Sequence, residues 1–241
     1  MAQVTLDGGQ SSQQLGGQTL EYITQHVLLQ CPGAPDTLVQ AQLQLVAREF
    51  YTKSTSWRTT LGPFAITIGR DIVQLNPVDQ NSRLQFVLGA YLQLGATEGP
   101  SPLNPLTRQP TNTGTANPPN AYYMQQPDVM QLYPPPSATR GPVLYIYACL
   151  VPTQSATSLP DISFTQHLDG LLWGTLSRMM YMPKKNWSNK ELAQMYDRKY
   201  RSEILMARDI ANRGYGPANS SATFPNFAGR SGSQVLPRAV G

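Results

Sequence analysis

The sequence is poor in the residues that do chemistry. Its 241 residues include two histidines, His26 and His167, and two cysteines, Cys31 and Cys149. Neither histidine has a metal-ligand partner at useful spacing. Asp169 lies two residues beyond His167, and on a helix residues two apart point in different directions. No glycine-rich phosphate loop occurs, because Gly95, Gly99 and Gly114 are scattered among prolines with no lysine beside them. Gly229-Arg230-Ser231-Gly232 lacks the spacing of a nucleophile elbow. The chain reads as non-enzymatic, with no catalytic residue, no metal and no cofactor.

Charge is scarce as well. Charged residues make up 13% of the chain, about half of what soluble domains usually carry. Long apolar runs are missing. The longest, Val143 to Val151, has nine residues, against roughly 20 for a membrane span. No basic segment followed by an apolar run opens the chain, so neither a secretory leader nor a membrane partner is expected. The two distant cysteines are then expected as buried free thiols rather than a disulfide, in a protein made and used in a reducing cytosol or leaving it only inside something larger.

What is abundant is proline (21) and glycine (19), with a surface of Gln, Asn, Ser and Thr. Such a chain is ordered but rich in loops. With so few charges, much of its surface is expected to meet other protein. The charge present is uneven. Lys and Arg outnumber Asp and Glu by 18 to 14, and eight basic against four acidic residues fall between Pro183 and Gly214.

Periodicity predicts four helices. Leu20, Ile23 and Val27 share a face after Thr19, and Val39, Leu43, Val46 and Phe50 form a second stripe. A third helix is expected from Leu159-Pro160-Asp161 to Pro183, with Phe164, Leu168, Leu171 or Leu172, Thr175 and Met179 on one side. The fourth opens at Ser188-Asn189-Lys190-Glu191, a capping-box pattern, carries Ala193, Tyr196, Tyr200, Ala207 and Ala211 on one face with Ile204 close to it, and stops at Arg213-Gly214. Between the pairs, short strands are expected at 57–61, 64–68 and 72–75. A long strand follows in which Leu84, Phe86, Leu88, Ala90, Leu92 and Leu94 alternate with the other face. Residues 95–120 read as almost pure loop, with strands again at 121–125, 129–133 and 143–150.

The fold class expected is α+β: a four-helix core of two N-terminal and two C-terminal helices, an inserted antiparallel β domain, and extended termini. The boundaries are 1–17 for a flexible lead, 18–55 with 156–214 for the helical core, 56–155 for the β-rich insert, and 215–241 for a C-terminal arm. The proline-rich loop at 95–120 lies inside the insert.

Lys184, Lys185, Lys190, Arg198, Lys199, Arg201, Arg208 and Arg213, with Trp187, Tyr196 and Tyr200 between them, would suit phosphates. Yet Glu191, Asp197, Glu203 and Asp209 are interleaved, a pattern that usually solvates a helix face. A binding module whose basic helix contacts DNA, in a virion or in the cytosol, stays as the alternative reading.

Certain motifs are specific. Cys31-Pro32-Gly33-Ala34-Pro35-Asp36, Leu38-Val39, Ala47-Arg48-Glu49-Phe50 and Trp57-Arg58 resemble the opening of head-to-tail adaptor proteins of short-tailed double-stranded DNA bacteriophages. Asp169-Gly170-Leu171-Leu172, Met182-Pro183, Asn186-Trp187-Ser188 through Arg201, Ala207-Arg208 and Arg213-Gly214 are similar to that family's closing helical hairpin. The resemblance covers roughly residues 19–95 and 120–214.

It implies a homo-oligomeric ring, commonly of twelve copies, at the portal vertex of the virion. The partners implied are the portal protein, a tail nozzle or tail tube protein, a tail fibre protein, and DNA passing through the lumen. The family's C-terminal arm reaches between portal subunits, a role that would fall here to Tyr215, Phe224, Phe227, Arg230 and Arg238. Lys184, Lys185 and Arg198 are candidates to face the channel or DNA. Pro100, Pro105, Tyr122 and Tyr123 are candidates for contacts with the tail or with neighbouring copies. The arm and the β insert are expected at opposite ends of a helical shaft.

Overall fold

The computed structural model describes residues 18–67, 69–75, 80–93, 99–110, 117–137 and 143–214. In chain order these form β1 (Gln18–Thr19), α1 (Glu21–Gln30), α2 (Asp36–Ser54), β2 (Arg58–Ala65), β3 (Ile72–Gln74), β4 (Ser82–Gln93) and β5 (Ser101–Pro105). There follow β6 (Ala121–Gln126), β7 (Val129–Tyr133), β8 (Val143–Pro152), β9 (Ser158–Leu159), α3 (Ile162–Thr165), α4 (Leu168–Met180) and α5 (Lys190–Arg213).

The expected four-helix core with an inserted antiparallel β domain is not the architecture. The chain is organised on a seven-stranded sheet in the order β2-β8-β4-β5-β6-β7-β3. The sheet is mixed, since β5 and β6 run parallel while the other neighbours are antiparallel. Helices α1, α2, α4 and α5 do pack on one another, but α2 also packs on β8. One continuous cluster of buried apolar side chains runs from Ile23, Leu43 and Leu176 through Trp57 and Leu84 to Leu144, Ile146 and Leu132. Helical periodicity shows which face is buried, not what covers it. Here part of the cover is β8, which is buried continuously from Ala148 to Pro152.

Three further expectations change. The strands expected at 57–61 and 64–68 are one strand, β2, whose register against β8 shifts between Leu61 and Phe64. Gly62 permits the shift: it sits at φ +127°, and a Cβ there would lie 2.7 Å from the Leu144 carbonyl oxygen. The alternation expected in β4 fails midway. Leu84, Ala90 and Leu92 are buried, but Phe86 and Leu88 are 37% and 39% exposed. Register shifts at Leu84/Phe86 and Val87/Gly89 explain this, because each one-residue slip turns the following side chains to the other face. The 95–120 segment is not pure loop, as β5 pairs with β4 and β6 and buries Leu103.

The third helix is also interrupted. Its expected first residue, Leu159, is in β9, which pairs with β1 as Gln18↔Leu159 and Thr19↔Ser158. The one-turn α3 ends before His167, and α4 resumes from there.

Candidate functional site

The best-defined assembly of side chains is the meeting of α2, α4 and α5. Asn189 caps α5, its Oδ1 accepting from the Leu192 amide at 3.1 Å. The expected Ser188–Glu191 box is replaced by a single cap bond one residue on, since Leu192 has no carboxylate to reach back. Asn caps as well as Ser, and the Asn189 amide is held by the Met180 carbonyl at 3.1 Å, which fixes the turn out of α4. The 24 residues of α5 span about 36 Å and bury Ala193, Tyr200, Ile204, Ala207 and Ala211 on one face.

The three helices approach closely because α4 presents glycine where they cross. A Cβ on Gly174 would lie 2.6 Å from Val46 Cγ1 and 2.8 Å from the Tyr200 ring, and one on Gly170 would lie 3.1 Å from Phe50 and 3.2 Å from Glu203 Cβ. Tyr200 then donates its hydroxyl to the Val46 carbonyl at 3.1 Å. Burial raises the Tyr200 pKa, with the Glu49 charge adding to it, so the phenol remains a neutral donor.

Glu49 accepts from both Lys53 and Arg178. Burial pushes its pKa up, but the hydrogen bonds and charges of the two cations outweigh that and leave it below the usual carboxylate value. His167 is buried beside Phe50 and Tyr51, with ring centroids 5.0 and 6.4 Å away. Burial lowers its pKa to about 4, opposed by a backbone contact to Gln166, and its Nε2 has no hydrogen-bond partner. It is a neutral packing residue.

A groove of about 510 Å³ between α2 and α5 is lined by Glu49, Lys53, Asp197, Tyr200, Arg201, Ile204 and Leu205. Its carboxylates are already held by cations, Glu49 as above and Asp197 by Arg201 at 2.8 Å. No free acid–base pair is left there. Among the described residues no His, Cys, Asp and Glu group is arranged to hold a metal, and no helix is long and apolar enough to cross a membrane. Cys31 and Cys149 are buried and not joined in a disulfide, Cys149 Sγ donates to the Thr55 carbonyl at 3.7 Å, and burial raises both thiol pKa values, opposed at Cys149 by Arg58.

The C-terminal end of α5 docks on the start of the sheet. Arg58, the first residue of β2, donates from Nη2 to Asn212 Oδ1 at 2.8 Å and from Nε to the Thr55 carbonyl at 2.9 Å. The chain therefore leaves α5, through Gly214 at φ +77°, on the side where helices meet sheet. The end of α5 thus lies beside the start of β2, and the expected arm itself lies outside the described residues.

The sequence-derived candidates fall in separate places. Lys184 and Lys185 are exposed in the turn between α4 and α5, with Lys185 6.0 Å from the Trp187 ring. Arg198 is exposed on α5. Pro100 precedes β5 and Pro105 ends it, both exposed. Pro105 is paired in register with Tyr122, which is 4% exposed in the core, while Tyr123 is half-buried. Tyr215, Phe224, Phe227, Arg230 and Arg238 lie outside the described residues.

Sequence reasoning passed over two apolar surfaces. On the sheet, Phe86, Leu88, Tyr91 and Tyr147 are each more than a third exposed. On α5, Leu192, Met195, Leu205, Met206 and Ile210 are exposed opposite the buried face. The α5 group was legible, since these residues fall outside the Ala193–Tyr200–Ala207 stripe. The sheet group was not, because it depends on bulges.

The model of the SU10 adaptor protein family matches residues 25–221, most of the chain. No curated protein matches it.

Proposed function

The chain belongs to the SU10 adaptor protein family, a family of phage head-to-tail adaptors, and from this we propose that it forms a ring between portal and tail. As a structural adaptor it is a virion component. In this reading the ring extends the DNA channel, seals the filled head, and gives the nozzle and fibres a platform. The observation that carries the reading is the family match, which spans the fold from the middle of α1 onward.

The arm, residues 215–241, attaches the ring to the portal. Phe224 and Phe227 fill portal pockets, Tyr215 packs at the exit, and Arg230 and Arg238 meet acidic groups. Burying one phenylalanine contributes roughly 1.5–3 kcal/mol, less the cost of ordering the arm, so a single arm binds weakly. Arms joined in one ring engage at high effective concentration and bind together. The arm's departure beside Arg58 and Asn212 starts it from a fixed point on the rigid part of the molecule.

Lys184 and Lys185, exposed on the turn into α5, face DNA in the lumen. Residues 99–117, with Pro100, Pro105 and Tyr123, contact the neighbouring copy or the nozzle. Truncation tests the reading directly. Particles carrying the chain without residues 215–241 are expected to lose it from the vertex, and retention at the wild-type level would overturn the arm's role.

A further inference from the structure

Charge and exposed apolar surface are segregated on this molecule in a way that a lone globule does not require. Residues 18–47 and 143–177 contain Glu21, Asp36, Asp161 and Asp169 and not one Lys or Arg. They build α1, α3, most of α4 and the first part of α2. The β1–β9 pairing ties the start of α1 to the start of α3, placing Glu21 and Asp161 at neighbouring helix starts. The Tyr22 and Phe164 rings meet edge-on at 6.5 Å. The outward face of α1 is Glu21, Tyr22, Gln25, His26 and Leu29, and Leu29 is 82% exposed. This patch is acidic and greasy.

α5 carries the reverse. Its outward seam runs Leu192, Met195, Lys199, Ser202, Met206 and Ile210 at helical spacing, with Arg198 and Leu205 beside it and Leu205 64% exposed. Arg201 and Arg213 are neutralised by Asp197 and Asp209. Among the described residues Arg198 and Arg208 have no ion pair. Glu191 is exposed on the same helix and Glu203 is half-buried, so the patch is greasy with a small basic excess from Lys190, Arg198, Lys199 and Arg208.

Both helices pack on α2 and α4, so one rigid core carries both patches. Neither patch suits itself, because each would face its own charge. A surface complementary to a different surface of the same molecule makes a heterologous contact, which propagates head to tail and closes into a ring when the rotation allows. Phosphate would use the cations of α5 but gain nothing from its leucines and methionines. A second copy of the α1 face uses both.

We propose that the α5 seam of one copy packs against the α1 face of the next, with Leu192, Met195, Met206 and Ile210 against Tyr22 and Leu29, and Arg198 opposite Glu21. The inference rests on the ring reading above and names the contact that closes it. It gives Arg198 to the neighbour rather than to DNA.

The test is charge reversal with a reciprocal rescue, using full-length chain assembled into particles. Copies per particle are measured on gels and the vertex is imaged by electron microscopy. Arg198→Glu and Glu21→Arg are each expected to lower incorporation at least ten-fold. Combining them in one chain is expected to restore it to within two-fold of wild type, since every contact then carries the pair in reverse. Met206→Asp is expected to abolish the ring with unchanged circular dichroism, which shows the helix is intact. Wild-type incorporation of the single variants, or no rescue in the double variant, overturns the proposal while leaving the ring reading standing. Absence of a ring in wild-type particles overturns both.

Discussion

Tyr200 on α5 donates its hydroxyl to the carbonyl of Val46 on α2 at 3.1 Å, passing over Gly174 of α4. A single ring thus registers three helices that are adjacent in space but come from both halves of the chain. The α2–α4–α5 packing is the rigid element that carries both the exit of the arm and the outward seam of α5.

Gly174→Ala is expected to destabilise the fold. Alanine gains about 1 kcal/mol of helix propensity over glycine, but its Cβ would sit 2.6 Å from Val46 Cγ1 and 2.8 Å from the Tyr200 ring. Forcing a core apart in this way costs about 1–3 kcal/mol, and more where neither neighbour can move. Urea unfolding should show a lower midpoint at unchanged slope.

Stability should fall between pH 6.5 and 4 through His167. Its folded pKa is about 4 and its ordinary value 6.5, so in this window the unfolded chain binds a proton that the folded chain refuses. Stability therefore rises with pH here and is lost as pH falls, by about 2 kcal/mol between pH 7 and pH 5. His167→Leu should flatten that part of the profile, measured as unfolding midpoint against pH. Glu49, whose pKa is lowered, adds a separate loss only below the ordinary carboxylate range.

Much of the helical part was legible in the sequence. The stripes of α1, α2 and α5 lie where apolar spacing places them, since a helix buries one face whatever covers it. The architecture was not legible. Nothing local in Val39, Leu43 or Phe50 tells whether a helix or the strand β8 lies opposite, and the proline-rich segment hides β5 because prolines mask a strand that sits between β4 and β6. Phe86 and Leu88 read as core and are exposed, because two bulges turn β4 over. The α5 cap moved from Ser188 to Asn189, two residues equally able to accept an amide. Of the candidate site residues, the exposure of Lys184, Lys185 and Arg198 follows from a helix boundary and a wheel. Tyr122 is buried, and that depended on its parallel neighbour β5.

Deletion of residues 107–117, which leaves β5 and its pairing with β4 and β6 in place, is expected to leave portal attachment intact and to block tail completion. The assay is two-fold: copies of the chain per particle, expected at the wild-type level, and infectivity, expected to drop by orders of magnitude. Unchanged infectivity would remove the proposed tail contact.

Lys184→Gln with Lys185→Gln should preserve ring and stability, since both side chains are exposed in the turn. The variant should differ from wild type in the salt dependence of DNA ejection rate, with a shallower slope, because each lost phosphate contact lowers it by about one. An identical slope would place these lysines away from the lumen.

The central claim is that the chain forms the ring joining portal to tail, and imaging of the portal vertex of intact particles tests it most directly. The account predicts a closed ring of this chain beneath the portal, with the fold of residues 18–214 fitting each lobe and residues 215–241 running up between portal subunits. Particles whose vertex lacks such a ring, or in which the chain sits elsewhere in the virion, would contradict it.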